Sequence, residues 1–256
     1  MDSTKQTIFI NGKPFTYEEE TLEYGVTKPM SHDEAQDLLI RVKELLLQVG
    51  LPFCLGYGTL LGAVRDHDII PGDEDLDIIV KDEALLLSSL PFLSENGLKT
   101  IRICKGSTYS FRLNDNAYID IYIQRPIQGF SPWKLYCDCL CGFCYTPRKL
   151  MNEFQEIEFL GNAYLCYKNP ERILEFWYGK TWRIPVSGHK FIYEVKSHWI
   201  WRNIIKPSLI LGFGTIIGWP YWRHIVRGEY ADKDSSIREW KTKKDKLKKH
   251  FKMLIY

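Results

Sequence analysis

The chain has 256 residues, 34 of them lysine or arginine against 32 aspartate or glutamate, with 45% hydrophobic and 26% charged residues. Those proportions are globular; they exclude wholesale disorder, a collagen-like fibre and a simple coiled coil, and allow one large domain or two small ones. A formal charge of +2 disfavours a nucleic-acid binder driven by bulk charge.

The first 30 residues are polar, apart from Ile8-Phe9-Ile10 before Asn11-Gly12, which predicts a small hairpin or arm. The opening Met1-Asp2-Ser3-Thr4 carries no apolar secretory core, so the seven cysteines are expected as thiols in a reducing, cytoplasmic compartment. Ser31 and Glu34 have capping-box spacing, and apolar residues from Ala35 to Val49 recur at three and four, predicting a helix that Gly50 stops. Pro52 to Leu55 reads as a strand and Gly56 to Arg65 as a glycine turn into a short helix. Leu76 to Val80 reads as a strand, and Asp82 caps a helix to about Leu93. Strands follow at Thr100–Cys104, Tyr109–Leu113 and Tyr118–Ile123. A hairpin turning at Gly161-Asn162 is next, then a helix with Asn169 as N-cap and Pro170 as first residue. The fold class expected is α+β, a mixed sheet with flanking helices.

The most informative stretch runs from Gly58-Thr59-Leu60-Leu61-Gly62 through Arg65 to Asp73-Glu74-Asp75-Leu76-Asp77. In an extended chain Asp73, Asp75 and Asp77 share one face and Leu76, Ile78 and Val80 the other. Such carboxylates repel unless a cation lies among them, and hard oxygen ligands suit Mg²⁺ or Mn²⁺. Asp120 repeats the pattern within Tyr118-Ile119-Asp120-Ile121, and becomes a further ligand if its strand neighbours the first. Gly58 and Gly62 permit close backbone approach, Thr59 offers a hydroxyl, and Arg65 can fork onto a phosphate. Acids, cation and phosphate cradle together make a phosphoryl-transfer constellation. A solvated edge strand explains the acids alone, but not the whole ordered set.

The run from Gly58 to Ile78 resembles the LicD family of the nucleotidyltransferase superfamily, which includes the fukutin-related proteins. Asp120, Glu158-Phe159-Leu160-Gly161, Asn169-Pro170 and Tyr178-Gly179-Lys180-Thr181-Trp182 are similar to that family's later motifs; Gly72 departs from the usual aromatic. The resemblance implies a nucleotidyltransferase-like fold. It also implies transfer of phosphocholine or a polyol phosphate from a CDP-linked donor to a sugar hydroxyl, with release of CMP. Asp75, Asp77 and Asp120 would then be catalytic. Together with Asp73 they would hold the metal, and Asp120 is a candidate proton acceptor. Gly58, Thr59, Gly62 and Arg65 would bind the donor. If the donor carries choline, Tyr57, Tyr122, Tyr178 and Trp182 are candidates for an aromatic cage. Two other functions are weighed: a nucleotidyltransferase that attaches NMP from an NTP, and a non-catalytic membrane-associated protein.

Cys137, Cys139, Cys141 and Cys144 could hold Zn²⁺, but the spacing is tight and small core residues on a strand explain them better. Residues 207–222 carry no charge and are flanked by tryptophan and arginine, and a lysine-rich tail follows. That pattern suits a peripheral contact with an anionic membrane, the inner face of the cell membrane, and fits a lipid-linked or glycan acceptor. The organisation expected is an arm or hairpin at 1–30, a catalytic domain at 31–190, and an apolar and basic extension at 191–256.

Overall fold

The structure, a computed structural model, describes residues 3–22, 29–114, 117–126, 137–140 and 144–185. The extension at 191–256 lies outside the described residues. So do Cys141 and the side chains of Cys137, Cys139 and Cys144, and with them the zinc question.

Strands β1 (Ser3–Ile10) and β2 (Lys13–Glu20) pair antiparallel about Asn11 and Gly12, whose φ angles are 49° and 77°. Two positive φ values are what a two-residue hairpin turn demands, and Asn-Gly meets the demand at least cost. Alternation along β2 buries Phe15 and Tyr17, which join the main hydrophobic core. Helix α1 (His32–Gln48) starts at a complete capping box between Ser31 and Glu34 and buries Ala35, Leu38, Leu39, Val42, Leu45 and Leu46 as one stripe.

The central sheet has the order β3 (Phe53–Leu55), β4 (Asp75–Val80), β7 (Tyr118–Ile123), β6 (Thr108–Arg112), β5 (Lys99–Cys104). The β4–β7 pair is parallel and every other neighbouring pair antiparallel, so the sheet is mixed. Helix α2 (Tyr57–Arg65) connects β3 to β4, and α3 (Glu83–Glu95) follows β4, capped by Asp82, whose carboxylate accepts from the Leu85 N–H. Leu76, Ile78 and Val80 of β4, Tyr109 and Phe111 of β6, and Ile119, Ile121 and Ile123 of β7 join the α1 stripe in one core. That leaves the alternate positions of the same strands for polar side chains.

A small sheet of β8 (Arg125–Pro126), β9 (Cys137–Leu140) and β10 (Cys144–Pro147) follows, then the hairpin β11 (Phe154–Phe159) and β12 (Asn162–Tyr167). Its turn falls at Leu160-Gly161, one residue earlier than the Gly161-Asn162 expected, because Phe159 and Asn162 are the closing pair. Leu160 accepts a φ of 47° there. Its side chain is buried, and its carbonyl accepts a 2.8 Å hydrogen bond from Gln36 Nε2 of α1. Helix α4 (Pro170–Tyr178) begins at Asn169, whose side chain makes no capping bond, and ends at Gly179 with φ 89°. It packs on α2. Trp177 lies fully buried in that contact and donates its indole N–H to Thr146 Oγ1 at 3.0 Å.

Candidate active site on the acidic face of the sheet

The acids come together because β4 and β7 are neighbours in parallel register. Asp75 stands opposite Tyr118, and Asp77 stands opposite Asp120. Asp75, Asp77 and Asp120 are all buried, and one carboxylate oxygen from each lies within 4.8 Å of the others. Three buried carboxylates this close are costly unless something positive shares the space. Burial first, and then Asp77, Asp120 and Asp73, raise the Asp75 carboxyl well above the ordinary carboxylate range. Burial and then Asp73 and Asp120 do the same to Asp77, against the opposing hydrogen bonds from Gly58 N–H and the Tyr122 hydroxyl. Crowded hard oxygen donors of this kind fit a divalent cation such as Mg²⁺ or Mn²⁺.

Asp73 is close by but placed differently. It lies before β4 begins rather than on the strand face expected of it, with Oδ1 accepting from the Glu74 N–H at 3.2 Å. Its backbone carbonyl accepts from Met30 N–H at 2.9 Å. It belongs to the rim of the triple rather than to the triple itself.

The glycine turn serves the acids directly. Beyond the end of β3, Gly56 N–H donates to the Asp77 carbonyl at 3.0 Å, and Thr59 Oγ1 accepts from the Asp77 N–H at 2.6 Å. Gly58 N–H donates to Asp77 Oδ2 at 2.8 Å. The positive end of α2 therefore faces a carboxylate of the chain itself. A Cβ on Gly58 would sit 3.0 Å from Asp77 Oδ2 and 3.2 Å from Asp73 Oδ2, so this glycine makes room for acids. Gly62 does a different job: a Cβ there would lie 2.5 Å from the Asp68 carbonyl oxygen, so it admits the backbone of the loop that leads into β4. Arg65 lies at the opposite end of α2, with Nε and Nη2 forked onto the Asp66 carboxylate at 2.7–3.1 Å. Gly62 and Arg65 are thus not gathered with the acids, and each is engaged elsewhere.

The aromatic residues divide in the same way. Tyr57, with φ 32°, is held between Tyr122 and Trp177, each with its ring centroid 4.7 Å away. Non-glycine residues take such a φ only where surrounding packing enforces it. Tyr57 is buried, and so is Trp182, over which the Arg183 guanidinium lies at 4.2 Å. Neither offers the open face that a quaternary ammonium needs. Tyr178 ends α4, beside the core. Tyr122 does reach the acids, its hydroxyl 3.5 Å from Asp120 Oδ2.

Three residues of this site were not read from the sequence. Trp177, rather than Trp182, is the tryptophan that backs the glycine turn. Arg102 Nη2 donates to Asp120 Oδ2 at 2.7 Å and its Nε to Ser110 Oγ at 2.9 Å, while Ser110 Oγ donates to Asp120 Oδ1. Both oxygens of Asp120 therefore already accept hydrogen bonds. The local signal was limited to a polar residue alternating with apolar ones in the two predicted strands Thr100–Cys104 and Tyr109–Leu113.

A helix N-terminus set against an acidic strand, with a third acid on the adjacent parallel strand of a mixed sheet, defines a nucleotidyltransferase-like domain. Residues 50–169 match the family model described as LicD/FKTN/FKRP, nucleotidyltransferase domain. That similarity to the LicD family covers 120 of the 256 residues. No curated protein matches the chain. Among solved structures it is similar to the lincosamide antibiotic adenylyltransferase LnuA in its lincomycin-bound crystal form, at 13% identity and a TM-score of 0.39, over 57% of this chain and 85% of that one. Among the described residues, no helix is long and apolar enough to cross a membrane.

Proposed function

We propose that the protein is a divalent-cation-dependent phosphotransferase that moves a phospho-substituent, phosphocholine or a polyol phosphate, from a CDP-linked donor to a sugar hydroxyl and releases CMP. The observation that carries this is the buried triple of Asp75, Asp77 and Asp120, one oxygen of each within 4.8 Å of the others. Asp75, Asp77 and Asp120 would hold Mg²⁺ or Mn²⁺, with Asp73 at the rim. A cation bound there would polarise a phosphoryl oxygen and offset charge on the leaving oxygen.

The chain's own groups prepare that place. Gly58 N–H fixes the direction of Asp77 Oδ2, and Thr59 ties the backbone of Asp77 to α2. The field at the N-terminus of α2 favours anionic charge over the same spot. The covered faces of Tyr57 and Trp182 give choline no advantage over a polyol as the donor's head group. A glycan or lipid-linked sugar is the acceptor this reading requires, and the apolar and basic composition of 191–256 supports work at an anionic membrane surface.

The test is thermal unfolding with CDP-choline, CDP-ribitol, CDP-glycerol, CTP and ATP, each with and without Mg²⁺, followed by identification of the released nucleotide. A magnesium-dependent shift with one CDP-alcohol, abolished in Asp75→Asn, and CMP as product are expected. A shift with CTP or ATP alone and release of pyrophosphate would move the assignment to NMP transfer. No shift with any nucleotide would favour a non-catalytic protein.

A further inference from the structure

The register of the central sheet places four polar side chains in one row across four strands. Asp77 on β4 pairs with Asp120 on β7, Asp120 pairs with Ser110 on β6, and Ser110 pairs with Arg102 on β5. Directly opposed residues share a face of the sheet, so the row runs unbroken from the acids to Arg102. A register irregularity between Thr100 and Arg102 brings Arg102 into line. Along the row each side chain holds the next: Arg102 grips Ser110 and Asp120, and Ser110 grips Asp120.

Resting on the cation-binding reading above, we infer that Arg102 and Ser110 are positioning residues of the carboxylate centre, acting on a bound divalent cation through Asp120. Asp120 is wholly buried, and its carboxylate would turn freely about its last torsion without restraint at both oxygens. Arg102 meets Oδ2 and Ser110 meets Oδ1, so the plane of the carboxylate is set by two donors. Oδ2 takes both Arg102 and, at 3.5 Å, the Tyr122 hydroxyl, whereas Oδ1 takes Ser110 and keeps a second lone pair for a cation. The guanidinium of Arg102 offsets only part of the negative charge gathered by Asp73, Asp75, Asp77 and Asp120. Arginine suits this position because its planar fork bonds Ser110 and Asp120 together, a geometry that a lysine ammonium does not reproduce. Partners that orient a metal ligand typically govern affinity by about 10–100-fold.

The experiment is Mn²⁺ binding without nucleotide, followed by calorimetry and by loss of the free-ion paramagnetic signal, at one fixed pH. The full chain is compared with Ser110→Ala, Arg102→Lys and Arg102→Gln, and Arg148→Gln serves as control. Arg148 pairs with a different buried acid, Asp138, at 2.8 Å, so its loss tests plain destabilisation. The expected result is one Mn²⁺ per wild-type chain and affinity lowered about tenfold or more in Ser110→Ala and Arg102→Lys, with Arg148→Gln like wild type. Ser110→Ala removes one hydroxyl and leaves the ion pair, so it reports even where Arg102→Gln fails to fold. Wild-type affinity in Ser110→Ala, or full rescue of Mn²⁺ binding by Arg102→Lys, would overturn the inference and leave the cation site standing. Absence of Mn²⁺ binding in the wild-type chain would overturn the cation reading itself.

Discussion

Gly58→Ala should separate the stability of the fold from its hold on a cation. Gly58 has no positive φ, and within a helix alanine is preferred over glycine by roughly 0.8–1 kcal/mol, so the backbone loses nothing. The new Cβ falls 3.0 Å from Asp77 Oδ2 and 3.2 Å from Asp73 Oδ2, a few tenths of an ångström too close. The carboxylates are the groups that must give way, and they are the cation's proposed ligands. At a concentration about 100 times its dissociation constant a cation stabilises by about 2.7 kcal/mol, and a tenfold loss of affinity cuts that to about 1.4 kcal/mol. For a domain of this size the difference is roughly 3–5 °C in the melting temperature. The assay is thermal unfolding in chelator and in Mn²⁺, with Gly62→Ala alongside. Gly58→Ala should melt at or slightly above wild type in chelator and gain several degrees less from Mn²⁺. Gly62→Ala forces a Cβ to within 2.5 Å of the Asp68 carbonyl oxygen. It should lose about 1–3 kcal/mol with or without the ion. An equal Mn²⁺ gain in Gly58→Ala and wild type would refute the reasoning.

Three further outcomes are expected. Asp75 and Asp77 are raised by burial and by the neighbouring carboxylates, so between about pH 4 and their raised values the native state holds more protons than the unfolded chain. Stability without cation therefore falls as pH rises across that window. Cation binding displaces the protons, so the Mn²⁺ gain in melting temperature grows with pH, and a gain equal at about pH 5 and about pH 8 would contradict this. Trp177→Ala, which empties a fully buried site and orphans the Thr146 hydroxyl, should cost about 3–5 kcal/mol in urea unfolding; a cost under about 1 kcal/mol would count against its buttressing of Tyr57. Ser31→Ala dismantles the capping box of α1 and should cost about 1 kcal/mol while leaving Mn²⁺ affinity unchanged.

Elements with a local cause were legible in the sequence. The capping box at Ser31 and Glu34, the Asp82 cap and the isoleucine alternation of β7 each write their structure within a few residues. The adjacency of Asp77 and Asp120 was inferred only conditionally, because strand order is a property of the whole chain. Gly58 and Gly62 look alike in sequence, yet one makes room for carboxylates and the other for a backbone loop, a distinction made by what lies opposite each. Arg65 was read by its chemistry as a phosphate fork, but its sequence neighbour Asp66 occupies that fork. Arg102 went unread because its significance lies in a lateral register across three strands, which no local periodicity records.

The parallel pairing of β4 with β7 also bears on when the site comes into being. Nothing between Asp77 and Asp120 in the chain brings them together except completion of the sheet, with β5 and β6 inserted in sequence between them and set in space at β7's far side. Slippage by one residue would turn Asp120 to the opposite face and put an isoleucine among the acids. A chain emerging from synthesis therefore has no gathered carboxylate triple until its last central strand is seated. Under the proposed function, ion capture would report that β7 is seated in register beside β4.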